Sequence, residues 1–175
     1  MCGVAVTPDR NDVFFGRDEL LADIRREIID SGNVVILEGN RRAGKTSVLG
    51  RLAGKDAIPG WLGVVCDLQG IDSAGASYDA VGAVQVFRKL AVSIAKGMQG
   101  LGRATLLPDG STLPPEKSLG IARRCNDGIS EVAPFSDFTE YVEVVLEALG
   151  EEGMGLLLLL DEFDKLQEGI EKGTS

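Results

Sequence analysis

The sequence predicts an α/β fold in which helices cover both faces of a parallel sheet, giving a three-layer αβα arrangement. Three short apolar runs, at 34–37, 62–68 and 156–160, have the composition of strands buried in a parallel sheet. Segments with a helical spacing of apolar residues alternate with these runs, and this alternation favours right-handed βαβ crossovers. The length of 175 residues is enough for one domain with its own hydrophobic core.

Four helices are predicted from apolar residues that recur on one face, at about 18–30, 45–53, 79–98 and 137–149. Ser31-Gly32 and Gly54 are expected to end the first two, and Asp137-x-x-Glu140 resembles a capping box at the start of the last. In such folds ligands bind beyond the carboxyl ends of the strands, so the residues there are the functional candidates. The positions expected to face the core are Leu20, Leu21, Ile24, Ile28, Val48, Leu49, Leu52, Val84, Phe87, Leu90, Ala91, Ile94, Phe138, Tyr141, Val142, Val145 and Leu149.

Composition shifts along the chain predict its organisation. Residues 1–12 are expected to be a loose leader, and residues 13–175 to form one domain. Residues from about 100 to 134 are rich in Gly, Pro, Ser and Asp, which predicts an irregular insertion with a short helix near 116–125.

The composition also excludes several classes of function. A net charge of −9 does not indicate a surface that coats nucleic acid. The chain has no histidine, which removes Ser-His-Asp and Cys-His catalysis, and its three cysteines are scattered without a C-x-x-C pair. The first residues lack a signal-peptide pattern, and the longest apolar run is far shorter than the about 20 residues that cross a bilayer. We therefore expect a cytoplasmic protein with neither a membrane span nor a structural zinc or disulfide framework.

One motif indicates phosphate chemistry. The segment Gly39-Asn40-Arg41-Arg42-Ala43-Gly44-Lys45-Thr46 matches G-x-x-x-x-G-K-[ST], the P-loop, and it lies between a predicted strand and a predicted helix. Glycines let the backbone wrap closely around a phosphate, and the loop amides with the helix N-terminus form an anion cradle. Lys45 is expected to reach the β- and γ-phosphates and the Thr46 hydroxyl to bind Mg²⁺. The alternative is a glycine-rich turn that merely caps a helix.

A second element follows the last apolar run. Five leucines deliver Asp161 and Glu162 to the end of a predicted strand, the arrangement called Walker B. Asp161 would hold Mg²⁺, directly or through water, and Glu162 would orient and polarise the attacking water. The alternative is a solvated loop that happens to be acidic. Asp67 ends the second predicted strand at the same edge of the sheet. It is a candidate for a residue that lies near Mg²⁺ and positions the groups that bind it, without binding the metal itself.

Taken together, these segments resemble the AAA+ superfamily in the broad sense, with the closest similarity to STAND-type and archaeal-type ATPases. The similar segments cover 13–54, 62–68 and 155–166, including Phe14-Phe15-Gly16-Arg17 before the first helix and Thr46-Ser47 in the P-loop. The resemblance implies that ATP binds residues 39–47, with Phe15 and Gly16 beside the adenine. The alternative for the two phenylalanines is packing of the first helix. Arg41 and Arg42 are expected to be solvated, or else to contact phosphate or a partner.

The chain departs from this family after Glu162, where only 13 residues remain. The resemblance implies two further strands, a polar sensor residue, an arginine finger and a helical lid, which such a short segment cannot hold. We therefore expect a domain incomplete at its C-terminal side, with weak hydrolysis, since an arginine finger can supply about 10³–10⁵ in rate. A sheet edge left open there would favour self-association or a protein partner.

Two functions use the same residues. The first is Mg²⁺-dependent ATP hydrolysis that drives a conformational change or assembly, and the second is a signalling switch that holds nucleotide and turns it over slowly. Glu162 favours hydrolysis. A small-molecule kinase lacks a recognisable acceptor site here, a GTPase would need an N-K-x-D-like guanine reader, and an ABC-type ATPase would need an L-S-G-G-Q-like segment.

Overall fold

A computed structural model describes residues 4–6, 17–31, 35–37, 43–54, 57–69 and 81–161 of the chain. The chain separates into two compact units, Met1–Ile58 and Pro59–Ser175, and each is described by itself. Both units are mixed α/β, and each contains a two-stranded parallel sheet. The predicted α/β class is therefore confirmed in this general form.

Two strands and two helices lie in the described part of the first unit. β1 (Val4–Val6) pairs in parallel with β2 (Val35–Leu37). β1 lies within residues 1–12, the segment interpreted as a leader. This strand was not predicted, because three apolar residues form too short a pattern to identify a strand. Along the chain, α1 (Asp18–Arg26) follows β1 and continues as a π-helical turn, Glu27–Ser31. α2 (Lys45–Leu52) follows β2.

The helices of this unit bury the faces that the sequence predicts. Leu21, Ile24 and Ile28 are buried from α1 and its π-helical extension. Val48, Leu49 and Leu52 are buried from α2, as expected. Each set recurs at three- and four-residue intervals, which places its members on one side of a helix. Because that side is apolar and packs inward, the start of α2 is held on a packed scaffold.

The second unit is built on β3 (Trp61–Asp67) and β6 (Gly155–Asp161), which pair in parallel over their full length. α3 (Val81–Gly100) packs on β3, α5 (Pro134–Gly150) packs on β6, and the two helices pack on each other. At Gly97 a Cβ atom would lie 2.7 Å from Cγ2 of Val64, so only glycine permits this approach of α3 to β3. The core of the unit lies between these helices and the sheet.

The core includes alternate residues of β3 together with apolar positions from both helices. The buried members that decide the packing are Leu62, Val64, Val84, Ala91, Ile94, Ala95, Met98, Tyr141, Val145 and Leu149. By contrast, the leucines of β6 were expected to be buried on both faces, and only Leu159 is. Leu156 and Leu158 are half-buried and pack on this core, so a continuous apolar run overstates the burial of this strand.

The insertion is more regular than its composition predicts. β4 (Thr105–Leu106) and β5 (Thr112–Leu113) form an antiparallel hairpin, and α4 (Ile121–Gly128) follows it. This helix begins five residues later than the one expected near 116–125. Ile121 and Cys125 from α4 join Leu107 and Leu113 from the hairpin in the core of the second unit. Residues 105–129 are therefore an integral part of that core.

The start of α5 also differs from the prediction. The helix begins at Pro134, three residues before Asp137, so Asp137 lies in the first turn and does not cap it. Proline at the first helical position loses no intrahelical hydrogen bond and has a helical φ, which explains the earlier start. Asp137 Oδ2 accepts a hydrogen bond of 2.7 Å from the Ser130 N–H. The capping-box interpretation is wrong at this helix.

Candidate functional site

The second half of the predicted P-loop lies at the start of α2. Gly44 has a φ of 76° and a left-handed conformation, and Lys45 and Thr46 are the first two helical residues. A residue with a Cβ atom is strained in this conformation, which explains the glycine. The Gly44 carbonyl accepts a hydrogen bond of 3.2 Å from the Val48 N–H, and the N–H groups of the first turn point beyond the helix end. Such an end carries positive potential and suits an anion.

Arg17 fastens this turn to the start of α1. Its Nη1 donates a hydrogen bond of 2.9 Å to the Gly44 carbonyl, and its Nη2 donates to the Ala43 carbonyl. Arg17 is itself anchored, because its carbonyl accepts a hydrogen bond of 2.9 Å from the Leu21 N–H in α1. The guanidinium therefore fixes two consecutive peptide units of the turn. It also adds a positive charge beside the predicted phosphate cradle.

No role for Arg17 is predicted from the sequence, although this residue lies in the segment that resembles the AAA+ pattern. The sequence contains one signal, because Arg17 directly precedes a helix predicted to start at about residue 18, and in the structure it is the N-cap of α1. A cation is unfavourable at the positive end of a helix, so its presence there indicates an acceptor elsewhere. The acceptors are 26 and 27 residues away in sequence, beyond the reach of local patterns.

In the second unit, two predicted carboxylates lie side by side. Asp67 ends β3 and Asp161 ends β6, and the two are register partners in the parallel pair. The Leu68 N–H donates a hydrogen bond of 3.1 Å to the Asp161 carbonyl, which extends the ladder past the strand ends. Because register partners on adjacent parallel strands are neighbours, the two side chains start from the same level of one sheet edge.

The backbone after Asp67 is held by two side chains. Asp67 Oδ1 accepts a hydrogen bond of 2.8 Å from the Gln69 N–H, and the Gln69 carbonyl accepts one from Lys89 Nζ on α3. A turn of this type orients the carboxylate of Asp67 along the chain that leaves the strand. Asp67 is exposed and Asp161 is half-buried, so the carboxylate pair lies at the surface of this unit.

The donor types that the sequence predicts for the metal are those that suit Mg²⁺. A threonine hydroxyl and carboxylates are hard oxygen ligands, which Mg²⁺ prefers, and the chain contains no histidine to favour a softer metal.

Cys66, next to Asp67, is buried, and burial raises the pKa of its thiol more than its hydrogen bond with Ser93 lowers it. Burial also raises the pKa of Cys125 to about 12. Both thiols therefore stay protonated at neutral pH and are poor metal ligands.

The two halves of the predicted site belong to different units. Ala43 to Ser47 lie in the first unit, and Asp67 and Asp161 lie in the second. The structure brings Arg17 together with Ala43 and Gly44, and Asp67 together with Asp161. The remaining predicted site residues, Phe15, Gly16, Gly39, Asn40, Arg41, Arg42 and Glu162, lie outside the described residues.

No family model, curated protein or solved structure matches the chain. Within the described residues, no helix combines the length and the apolar character that crossing a membrane requires. A functional assignment therefore depends on the residues and their local geometry.

Proposed function

We propose that this chain binds ATP with Mg²⁺ and hydrolyses it, as a three-layer αβα P-loop domain of the AAA+ or STAND type whose nucleotide state drives a conformational change or assembly. The observation that carries the proposal is the start of α2, where a left-handed Gly44 leads directly into Lys45 and Thr46 at the helix N-terminus. A helix N-terminus that follows a glycine turn is where G-x-x-x-x-G-K-[ST] loops receive phosphate oxygens, which supports the proposal.

Each residue has a distinct role in this proposal. Lys45 neutralises β- and γ-phosphate oxygens, and the loop amides and the helix end bind the same oxygens. Thr46 and Asp161 would hold Mg²⁺, which when bound withdraws charge from the phosphates. Glu162 orients the attacking water and accepts its proton as the water oxygen bonds to the γ-phosphorus. The bond from that phosphorus to the bridging oxygen breaks, and ADP and phosphate are released.

The contacts of Arg17 support this assignment. Two hydrogen bonds from one guanidinium fix the orientation of the peptide units of Ala43 and Gly44 before any ligand arrives. Because these two peptide units are already oriented, they lose less entropy on binding, which favours affinity.

Calorimetry with Mg·ATP and Mg·GTP, each raised to about millimolar concentration, tests nucleotide binding and nucleotide choice. We expect ATP to bind to the native chain. Lys45→Ala should weaken its binding by about tenfold or more, since the variant loses the ammonium group that contacts the phosphates. Lys96→Ala is the matched control, because Lys96 is an exposed lysine on α3, in the other unit. Absence of ATP uptake by the native chain, or equal uptake by Lys45→Ala, would overturn the proposal.

A further inference from the structure

An uninterrupted acidic surface lies along the outer side of α5. The segment 131–152 contains seven acidic residues and neither lysine nor arginine. Four of them, Glu140, Glu143, Glu147 and Glu151, follow one another at intervals of three and four residues and are all exposed. This spacing aligns them on one helix face over about 16 Å. We call these four residues the acidic ridge.

The ridge is unfavourable for the isolated chain. Glu143 and Glu147 are four residues apart, as are Glu147 and Glu151, and like charges at that spacing destabilise a helix. Glu147 and Glu151 also lie at the C-terminal end of α5, where the helix dipole repels anions, and the last turn contains no basic residue. Within the described residues no ion pair reaches the ridge. A cationic ligand would relieve both costs.

The other acidic residues around α5 behave differently. Glu131 pairs with Arg88 at 3.9 Å, and Glu152 pairs with Arg103. The negative charge of Asp137 is stabilised locally by hydrogen bonds from Ser130. Positive groups and donors therefore lie at both ends of α5, and the ridge between them is left to solvent. The charge is concentrated where a ligand could lie along the helix.

Apolar side chains lie on both sides of the ridge. Phe135 is 68% exposed although its ring makes an edge contact with Phe87 at 5.9 Å between centroids. Leu146 lies on the same side of the ridge as Phe135, and Val144 lies on the other side, each more than 40% exposed. Phe135 also lines a shallow groove with Glu140 and Glu143. The ligand should therefore offer apolar as well as positive groups.

We propose that the acidic ridge and its apolar margins bind a lysine- or arginine-rich amphipathic helix of a partner protein. Cations on one face of such a helix recur at the same three- and four-residue intervals as the glutamates, and its leucine-type side chains would cover Phe135 and Leu146. Nucleic acid and anionic membrane are repelled by the same charge. A second copy of the chain packed α5 against α5 would bring ridge against ridge.

The test uses the full chain and a synthetic helical peptide of about 18 residues, lysine on one face and leucine on the other, labelled for fluorescence anisotropy. A peptide of the same composition in scrambled order is the first control. We expect the amphipathic peptide to bind at least about tenfold more tightly than the scrambled one, and more weakly at high salt. Equal binding of the two peptides would contradict the proposal, because a general attraction to a negative protein would then suffice.

Two triple variants with the same change of charge locate the binding surface. In the ridge variant, glutamines replace Glu140, Glu143 and Glu147, and we expect peptide affinity to fall about tenfold or more. In the matched variant, Glu19→Gln, Glu116→Gln and Asp127→Asn neutralise three exposed acids outside α5, and we expect less than about a twofold change. Equal losses in both variants would reject the ridge as the binding surface.

The native chain provides a measurement that does not depend on the folding of a variant. Amide chemical shifts titrated with the amphipathic peptide are expected to change mainly from Phe135 to Glu151. Shifts confined to other segments would overturn the proposal. The ridge variant is also expected to melt at the same temperature as the native chain or above it, because it removes repulsion. None of these readouts requires nucleotide, so the outcome is separate from that of the proposed ATPase activity.

Discussion

The guanidinium of Arg17 donates a hydrogen bond of 2.9 Å to the carbonyl of Gly44, the glycine that leads into α2. This bond links the residue before α1 to the turn before α2, and a second bond to Ala43 fixes the neighbouring peptide unit. Ala43 and Gly44, the described part of the proposed phosphate cradle before α2, are therefore held by a side chain outside the P-loop motif.

Arg17→Ala is expected to weaken Mg·ATP binding by about tenfold and to lower the melting temperature. Hydrogen bonds to a charged group contribute about 1.5–3 kcal/mol, and tenfold in affinity corresponds to about 1.4 kcal/mol. Arg17→Lys should be intermediate, because an ammonium cannot reproduce the planar fork that reaches two carbonyls. Arg26→Ala is the control, since Arg26 is exposed and the ion pair it makes among the described residues, with Asp23, is exposed too. If calorimetry gives the same affinity for Mg·ATP in Arg17→Ala and Arg26→Ala, Arg17 does not contribute to the site.

Substitutions of two glycines, Gly44 and Gly50, should have opposite effects on stability. Gly44→Ala places a Cβ atom in a left-handed conformation and 2.8 Å from Nη1 of Arg17, so we expect a loss of at least about 1–2 kcal/mol. Gly50 lies within α2, and a Cβ atom there would meet nothing within 4 Å. Gly50→Ala should stabilise by about 0.5–1 kcal/mol, because alanine favours helix. Urea unfolding measures the stability of both variants. Equal unfolding midpoints for Gly44→Ala and Gly50→Ala would contradict the left-handed turn at Gly44.

Local patterns in the sequence predicted much of this structure. α2 was expected at 45–53 and occurs at Lys45–Leu52, because a glycine-rich turn and an apolar stripe are both local signals. The second and third predicted strands occur at Trp61–Asp67 and Gly155–Asp161, each within one residue of the expected start. Their parallel pairing followed from the alternation of strands and helices.

Other features depend on contacts that no short window contains. The acceptors of Arg17 lie more than 25 residues along the chain. The hairpin of β4 and β5 was missed because its strands have two residues each, although Asp109-Gly110 is a recognised turn pair. Asp137 matched a capping pattern, yet the helix starts at Pro134, which no periodicity of apolar residues revealed. Roles that arise from tertiary structure therefore remained hidden.

Glu162→Gln is expected to keep nucleotide binding and to lose most phosphate release. The amide has the same shape as the carboxylate but cannot accept the proton of the attacking water. Glu116→Gln is the control, because Glu116 is an exposed glutamate in the insertion. Steady-state phosphate release and calorimetry should be measured on the same samples. Unchanged turnover would remove Glu162 from catalysis, and binding without measurable release by the native chain would favour the slow-turnover switch.

Asp161→Asn and Asp67→Asn should both raise the Mg²⁺ concentration required for ATP binding, but to different extents. We expect about tenfold for Asp161, which would hold the metal, and only a few-fold for Asp67, its register partner. Asp127→Asn, an exposed change on α4, controls for general loss of negative charge. Mn²⁺ binding followed by electron paramagnetic resonance gives a readout without turnover. Equal behaviour of Asp161→Asn and Asp127→Asn would exclude the metal assignment.

The contact between Asp137 and Ser130 predicts a pH dependence of stability. Hydrogen bonds from the Ser130 side chain and then its backbone N–H lower the pKa of Asp137, so the folded chain favours the ionised carboxylate. Between the folded and unfolded pKa values the unfolded chain binds more protons, so this contribution is complete above about pH 4 and disappears as pH falls through the lower, folded pKa. Asp137→Asn should therefore melt a few degrees below the native chain at neutral pH, with a gap that narrows in acid. A constant gap for Asp137→Asn at all pH values would show that the charge of Asp137 contributes nothing.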